Sequence, residues 1–188
     1  MQERESRAGR KRSEASRQAI LDATLALLRS HGYGGLTVDA IAVAAGVSKQ
    51  TIYRWWSGKG ELALEALAEH ARDVNAPETG SLEGDVRAFF ESTLSLLRGP
   101  RGTAAVLKGL MAEAQLDPEF TPRLRGFVES RRGALRDVLA RHTRAKPLET
   151  MIDMLFGAMW YRLLLEHGAL DADFAGELGH MAARALKQ

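Results

Sequence analysis

The sequence contains no cysteine in its 188 residues. Disulfide bonds, thiolate metal sites and cysteine nucleophiles are therefore excluded. No apolar run approaches the roughly 18 residues of a membrane-spanning helix. The N-terminus is polar and arginine-rich, which is unlike a secretory signal. These absences predict a cytoplasmic protein that makes no contact with a membrane.

Motifs of the common enzyme classes are absent from the sequence as well. It contains no Gly-x-Ser-x-Gly elbow, no phosphate-binding loop and no dinucleotide fingerprint. The five histidines are scattered, and none has the i, i+4 partner that a zinc-hydrolase helix needs. We therefore expect no catalytic residues, no metal and no cofactor, although missing motifs alone leave an all-helical enzyme open.

The charge is small in total but unevenly distributed. The net charge is +2, yet residues 1–60 hold ten basic and five acidic side chains, which makes them +5 and the remainder −3. A basic front and a slightly acidic back fit a DNA-binding head on a body that does not touch DNA.

Residues 37–59 predict two short helices joined by a tight turn. Thr37 is a suitable N-cap for a helix over residues 38–45, because its hydroxyl can accept a free backbone N–H. Gly46 can end that helix in the left-handed conformation. Ser48 then caps a second helix, which the sequence predicts from Lys49 to Trp56.

The second of these helices has one apolar and one polar face. Ile52 and Trp56 are four residues apart and share the apolar face. The opposite face carries Lys49, Tyr53 and Arg54, together with a glutamine. A helix–turn–helix with such a face is suited to enter a DNA major groove. The same periodicity also fits a plain amphipathic hairpin whose polar face is solvated.

The sequence of this stretch resembles the DNA-binding motif of the tetracycline-repressor (TetR/AcrR) family of bacterial regulators. It reads IAVAAGVSKQTIYRWWSGKGEL. The shared pieces are an Ile-Ala pair, Ala-Gly-Val-Ser, a tyrosine after the cap, an aromatic pair, then Lys and Leu. The resemblance is specific over residues 17–70 and only architectural beyond them. One departure is the pair Gly58 and Gly60, where the family usually has better helix formers.

The resemblance implies a set of DNA-contacting residues. Lys49, Gln50 and Thr51 match positions that read base edges, as their chemistry allows. Tyr53, Trp55, Thr37 and Lys59 match phosphate contacts, and Ser48 can be both cap and phosphate contact. Arg54 can reach either backbone or base. For Trp55 a core position remains an alternative. The implied set is Thr37, Ser48, Lys49, Gln50, Thr51, Tyr53, Arg54, Trp55 and Lys59.

The rest of the chain reads as helical, with no strand-like alternation, so the predicted class is all-α. Residues 1–13 lack apolar spacing and are predicted to be a disordered basic arm, which either reaches DNA or is a solvated tail. Residues 14–60 are predicted to form a three-helix DNA-binding head. Residues 61–188 are predicted to form a helical bundle for ligand binding and dimerisation, entered through a helix over 59–74 and a loop over 75–81.

The helix predicted over residues 148–167 is apolar nearly all round, so it must be covered on more than one side. The resemblance implies that the last two long helices pair with their copies in a homodimer. A central helix of a monomer is the alternative. The residues predicted for the dimer interface are Leu148, Ile152, Leu155, Met159 and Leu163.

The resemblance also implies an effector pocket among the middle helices. The candidate lining residues are Phe89, Phe90, Met111, Phe127, Met154 and Trp160. Aromatic and methionine side chains suit an apolar or amphipathic small molecule, because methionine adapts to varied shapes. Ordinary core packing explains the same residues equally well.

Together these features predict a homodimeric, cytoplasmic transcriptional regulator, a repressor that a small-molecule effector releases from a palindromic operator in double-stranded DNA. The alternative within the same fold is a DNA-binding regulator that needs no effector, or an activator. A helical enzyme or interaction module that has kept the fold without DNA binding is a further alternative. Salt-dependent affinity for duplex DNA distinguishes the last of these from the others.

Overall fold

The computed structural model describes residues 2–71, 78–98, 102–143 and 148–186, with side chains from residue 13 onward. Over these ranges the chain forms nine helices and no strand, which confirms the all-α class. The helices are α1 (Gln2–Gly35), α2 (Val38–Ala45), α3 (Lys49–Tyr53), α4 (Lys59–His70), α5 (Leu82–Leu97), α6 (Ala104–Leu116), α7 (Thr121–Ala140), α8 (Leu148–Leu165) and α9 (Ala172–Leu186).

The chain divides into two compact units. The head unit comprises residues 1–70 and 105–121, and the body unit comprises residues 71–104 and 122–188. The head therefore contains α4 and most of α6 in addition to α1–α3. The sequence predicts a boundary after residue 60, whereas α4 falls within the head unit, where it packs on α1.

Within the head unit, α1 packs against both α2 and α4, and α2 packs against α3. Ile20, Ile41 and Leu62 are fully buried where these helices meet. Gly32 interrupts the helical geometry of α1 with φ 68° and ψ 179°. Glycine adopts this positive φ without the steric cost of a side chain.

The start of α1 corrects one prediction. The backbone is helical from Gln2, whereas the sequence analysis predicts a disordered arm over residues 1–13. The segment lacks an apolar stripe, but it is rich in Arg and Glu and contains no proline. These residues have good helix propensity, so they extend a helix whose apolar stripe starts further along.

Within the body unit, α5 packs along α9. Phe89 and Phe90 of α5 are fully buried, and their rings meet edge to face with centroids 5.3 Å apart. Both also meet the ring of Phe156 on α8, at 6.1 and 5.6 Å. Such tilted arrangements suit the quadrupoles of aromatic rings. These three side chains form the aromatic centre of the body core.

Helices α7 and α8 are joined by an exposed ionic network. Arg132 and Arg136 of α7 both donate to Glu149 of α8, and Arg132 also pairs with Asp153. Hydrogen bonds from the two arginines lower the pKa of Glu149 to about 2.

A buried carboxylate fixes the start of α5. Asp85 accepts hydrogen bonds from the backbone N–H and hydroxyl of Thr79, at 2.6 and 2.7 Å, and from His142 Nε2 at 2.7 Å. Burial on its own raises the pKa of Asp85, but the bonds from His142 and Thr79 outweigh it and lower the pKa to about 2. The loop before α5, α5 itself and the end of α7 are thereby tied together.

The predicted bounds of α2 match the observed ones, and those of α8 agree within two residues. Helix α3 ends at Tyr53 instead of Trp56, because the backbone N–H groups of both Trp55 and Trp56 bond to Ile52 O and the chain then leaves the helix. The predicted ends of α4 (72–74) and the first part of the predicted loop (75–77) lie outside the described residues. Among the helices described, none is long and apolar enough to cross a membrane.

Candidate nucleic-acid interface

The turn between α2 and α3 is built from local hydrogen bonds. Thr37 Oγ1 accepts the N–H of Ala40 at 3.1 Å, which caps α2 as the sequence predicts. Gly46 ends α2 with φ 65°, and its N–H and that of Val47 satisfy the last carbonyls. These bonds hold the sharp direction change of a helix–turn–helix.

Ser48 starts the next helix in the same way. Its hydroxyl accepts the N–H of Thr51 at 3.2 Å and lies 3.0 Å from the Thr51 hydroxyl. Ser48 is exposed, so its capping contact leaves it accessible to a phosphate. Thr51 is half-buried beside it, and the bond between the two hydroxyls restrains its rotamer.

The outward face of α3 carries the residues predicted to contact DNA. Lys49, Gln50 and Arg54 are exposed, and Thr37 is exposed at the start of α2. Tyr53 is 56% exposed and Trp55 is 40% exposed. The open alternative for Trp55, a core position, is therefore not what the structure shows. Eight of the nine predicted residues thus lie between Thr37 and Trp55, in or beside α2, the turn and α3, and Lys59 lies at the start of α4.

Lys49 is already paired in the absence of DNA. Its ammonium lies 2.6 Å from Asp39 Oδ1 of α2, and both side chains are more than half exposed. The hydrogen bond to Asp39 raises the pKa of Lys49. An exposed pair of this kind is weak, so it can open and exchange Asp39 for a base edge or a phosphate.

Trp56 anchors the opposite side of this surface. Ile52 and Trp56 are 1% and 2% exposed, in agreement with the predicted apolar face. The Trp56 indole N–H donates to Glu65 of α4, and Arg17 of α1 donates to the other oxygen of that carboxylate. The network fixes where α3 leaves the head core. It joins residues up to 48 positions apart, so no local pattern in the sequence announces it.

Lys59 sits against an aromatic ring at the start of α4. Its ammonium lies 4.8 Å from the centroid of the Tyr33 ring. A Cβ on Gly60 would come 3.1 Å from Tyr33 Oη and 3.2 Å from the Phe120 ring. A glycine therefore suits the close packing at this point, which is one reason for this departure from the family pattern. Burial and the nearby Glu113 carboxylate raise the pKa of Tyr33 to about 12.

The residues predicted for an effector pocket are only partly brought together. Phe89 and Phe90 are adjacent in the body core, Phe127 and Trp160 are half-buried, and Met154 is 55% exposed. Met111 belongs to the head unit, whereas the other five belong to the body unit. The pocket therefore stays a prediction.

The residues predicted for the dimer interface lie on the inner side of α8. Ile152, Leu155, Met159 and Leu163 are at most 3% exposed within one subunit, and Leu148 is half-buried. They fill the core of the body unit and present little area to a partner. Another set of apolar residues is exposed on α8: Met154, Tyr161, Leu164 and Leu165. Periodicity identified an apolar helix but could not tell its inner side from its outer side.

The geometry of α2, the turn and α3 defines a class. The fold and this surface are those of helix–turn–helix DNA-binding proteins, in which the second helix is presented to the major groove. Residues 20–66 match the family described as bacterial regulatory proteins, tetR family, and residues 76–182 match the tetracyclin repressor-like C-terminal domain. The chain belongs to the TetR family and is a DNA-binding transcriptional regulator.

Individual relatives support this assignment. The chain is 32% identical over 182 residues to the uncharacterized HTH-type transcriptional regulator YdeS of Bacillus subtilis (strain 168), covering 93% of this chain and 91% of the relative. It is 34% identical over 100 residues to the HTH-type transcriptional repressor KstR of Rhodococcus jostii, covering 50% and 47%. The match to YdeS extends the likeness beyond the head into the body.

Solved structures share the fold as well. The TetR family transcription regulator SCO0332 has a TM-score of 0.78 at 28% identity, over 90% of this chain and 97% of that one. The fatty acid degradation regulator FadR from Bacillus halodurans has a TM-score of 0.69 at 17% identity, over 92% and 97%. The family and the fold are those of transcriptional regulators rather than enzymes.

Proposed function

We propose that the protein acts as a homodimeric repressor that leaves a palindromic operator when a small-molecule effector binds its body unit. The observation that carries the proposal is the exposed polar face of α3, held from behind by the buried Ile52 and Trp56. Relatives described as repressors, KstR among them, support the direction of the response.

In this proposal α3 enters the major groove. Lys49, Gln50 and Thr51 contact base edges, since lysine can donate to guanine O6 and N7 and glutamine can pair with adenine. Tyr53, Trp55 and Lys59 contact phosphates, together with Thr37 and Ser48 at helix starts; Arg54 reaches backbone or base. Two-fold symmetry then implies half-sites about 34–36 Å apart or a multiple of that distance.

The dimer surface we propose is the exposed stripe of α8. Met154, Tyr161 and Leu165 follow spacings of seven and four residues, and Leu164 lies next to them, more than two-fifths exposed. Such spacing places them on one face, like the seam of two packed helices. Met181 of α9 is 53% exposed and can extend the surface. A contiguous exposed apolar stripe on a regulator of this family fits a subunit interface.

Selection of tight binders from a random duplex pool tests the DNA half of the proposal. The full-length protein is expected to enrich an inverted repeat. Gln50→Ala should relax the sequence preference at one position of each half-site, whereas Lys59→Ala should weaken all duplexes alike and flatten the salt dependence. If nothing is enriched at low salt, or if both variants behave alike, the assignment of these roles is wrong.

Light scattering after size exclusion tests the dimer half. Leu165→Asp should shift the protein to monomer, because it places a charge in the proposed seam. Leu116→Asp is the matched control, since Leu116 is 83% exposed at the end of α6 and outside the stripe. A monomeric wild type, or dissociation by the control alone, contradicts the proposed interface.

A further inference from the structure

Arg131 interrupts an apolar stripe on α7. Leu124, Phe127, Leu135 and Val138 recur at spacings of three or four residues around it, so they share its side of the helix. Three of these four are buried and Phe127 is half-buried. The Arg131 guanidinium carbon lies 5.3 Å from the centroid of the Phe89 ring, at the aromatic centre of the body core. A charged group thus occupies a position where the pattern calls for an apolar one.

This guanidinium lacks a full set of acceptors. Its Nη2 atom is buried and has no hydrogen-bond partner among the described residues. Burial lowers the pKa of Arg131. The Phe89 ring attracts the cation but takes no conventional hydrogen bond from its five N–H donors. Buried charges in proteins are normally paired, so an unpaired buried donor calls for an explanation.

Two neighbouring arginines of α7 do have carboxylate partners on α7 and α8. Arg132 and Arg136 share Glu129, Glu149 and Asp153, on the exposed side where α7 meets α8. The Arg131 guanidinium instead lies against the Phe89 ring. Its Nη2 donor is therefore left without an acceptor among the described residues.

We propose that Arg131 is the anion-binding residue of the effector site and that the effector is an amphipathic carboxylate. Its carboxylate would take two parallel hydrogen bonds from the guanidinium, the arrangement that arginine favours. Its apolar part would pack with Phe89 and Phe127. This inference rests on the proposed function, because it specifies the class of effector that the body unit binds.

The site selects against cations and neutral molecules. A cation meets like charge, and an alcohol of equal size leaves most of the guanidinium donors unpaired while paying for desolvation. A small carboxylate without an apolar chain lacks the contacts with the rings of Phe89 and Phe127. The preferred ligand thus has one acidic group at the end of an alkyl or arylalkyl chain.

Matched ligand pairs test the proposal on the full-length wild type by calorimetry without DNA. Octanoate is compared with octan-1-ol, and 4-phenylbutyrate with 4-phenylbutan-1-ol, all below their aggregation limits. At least one carboxylate is expected to bind about tenfold or more tightly than its alcohol. If neither carboxylate exceeds its alcohol, the proposal is overturned. This comparison needs no mutant and so cannot fail through misfolding.

Variants then locate the preference. Arg131→Met should bring the carboxylate down to the affinity of the alcohol, and should leave the melting temperature of the free protein equal or higher because a half-buried charge with an unpaired donor is removed. Arg125→Met, at an exposed position of the same helix, should keep the preference. An Arg131→Met protein that still prefers the acid overturns the proposal, as does one whose free form melts well below the wild type, which would show a structural arginine.

Failure of this inference and failure of the proposed function are distinguishable. If the duplex selection yields an operator but no carboxylate preference appears, the regulator stands and the anionic effector falls. If the preference appears but no operator is found, the body site stands and the DNA assignment falls. If both hold, the preferred carboxylate, and not its alcohol, should release the operator, since binding and release are linked.

Discussion

The head unit and the body unit assemble their chemistry in opposite ways. In the head, all the residues predicted to contact DNA lie within residues 37–59, and the local structure there depends on caps three residues apart, such as Thr37 to Ala40 and Ser48 to Thr51. In the body, the notable polar contacts join distant residues: Asp85 with His142, and Arg131 with the Phe89 ring. Local chemistry can be predicted from a sequence, and long-range pairing cannot.

The head also depends on one long-range contact, between Trp56 and Glu65, and the loss of Trp56 is expected to have the largest effect. Trp56→Ala should lower the free energy of unfolding by about 3–5 kcal/mol, because it empties the largest buried side chain of the head and leaves Glu65 without the indole donor. DNA binding should be lost with it. Urea denaturation followed by circular dichroism measures the first effect, and a gel-shift titration the second.

Trp55→Ala is the matched control for this experiment. It removes the same side chain one position away, where it is 40% exposed. Stability should change little, whereas affinity for DNA should fall. Equal destabilisation by the two alanine variants would contradict the division of the tryptophan pair into one anchor and one contact.

The buried carboxylate of Asp85 in the body unit is expected to have an effect of nearly the same size on the free energy of unfolding. The pKa of Asp85 is about 2 in the folded protein, below the value of about 3.9 for an unfolded chain. A lowered pKa stabilises the fold above the unfolded value, and that stabilisation is lost as the pH falls from about 4 to about 2. The expected contribution is about 2–3 kcal/mol at neutral pH.

Asp85→Asn should remove this pH dependence. The advantage of the wild type over the variant in unfolding free energy should shrink as the pH falls below about 4. Glu83→Gln is the control, since it changes an exposed acid in the same first turn of α5. A wild-type advantage that persists to the lowest pH would show that Asp85 acts by shape rather than charge.

The smallest expected effect concerns the ion pair between Lys49 and Asp39 in the head unit. Asp39→Asn should raise affinity for any duplex by tenfold or less, because Lys49 then has no carboxylate to leave and a negative charge is removed from the DNA-facing surface. Stability should hardly change. Fluorescence anisotropy at several salt concentrations measures it, with Asp22→Asn on α1 as the control. An unchanged or weaker affinity would mean that Asp39 orients Lys49 for base contact.

The sequence was sufficient for the parts of the fold that depend on neighbours in the chain. The caps of α2 and α3, the positive φ of Gly46 and the buried pair Ile52 and Trp56 were all predicted from short patterns and confirmed. The prediction of a disordered arm over residues 1–13 was wrong. Good helix formers in this segment extend α1, although they carry no apolar stripe of their own. The early end of α3 depends on where Trp56 must go, which only the packed head determines.

Two features of the body unit could not be interpreted from sequence patterns alone. The inner side of α8 was assigned to an interface because periodicity finds a face without showing what covers it. Arg131 did leave a signal, a charge within an apolar stripe at positions 124, 127, 135 and 138, but its meaning depends on the aromatic rings of other helices. Patterns of this kind identify positions, and only packing supplies their partners.

The discontinuous make-up of the head unit has a consequence during synthesis. Residues 1–70 leave the ribosome first, yet the unit also includes residues 105–121, and a Cβ on Gly109 would lie only 2.7 Å from Tyr33 Cβ. The nascent head must therefore wait for α6 to cover Tyr33 before its core is complete. A fragment cut after α4 would keep every residue predicted to contact DNA and still expose the side of Tyr33 that α6 covers, so we expect the shortest autonomous folding segment to be longer than the predicted DNA-recognition segment.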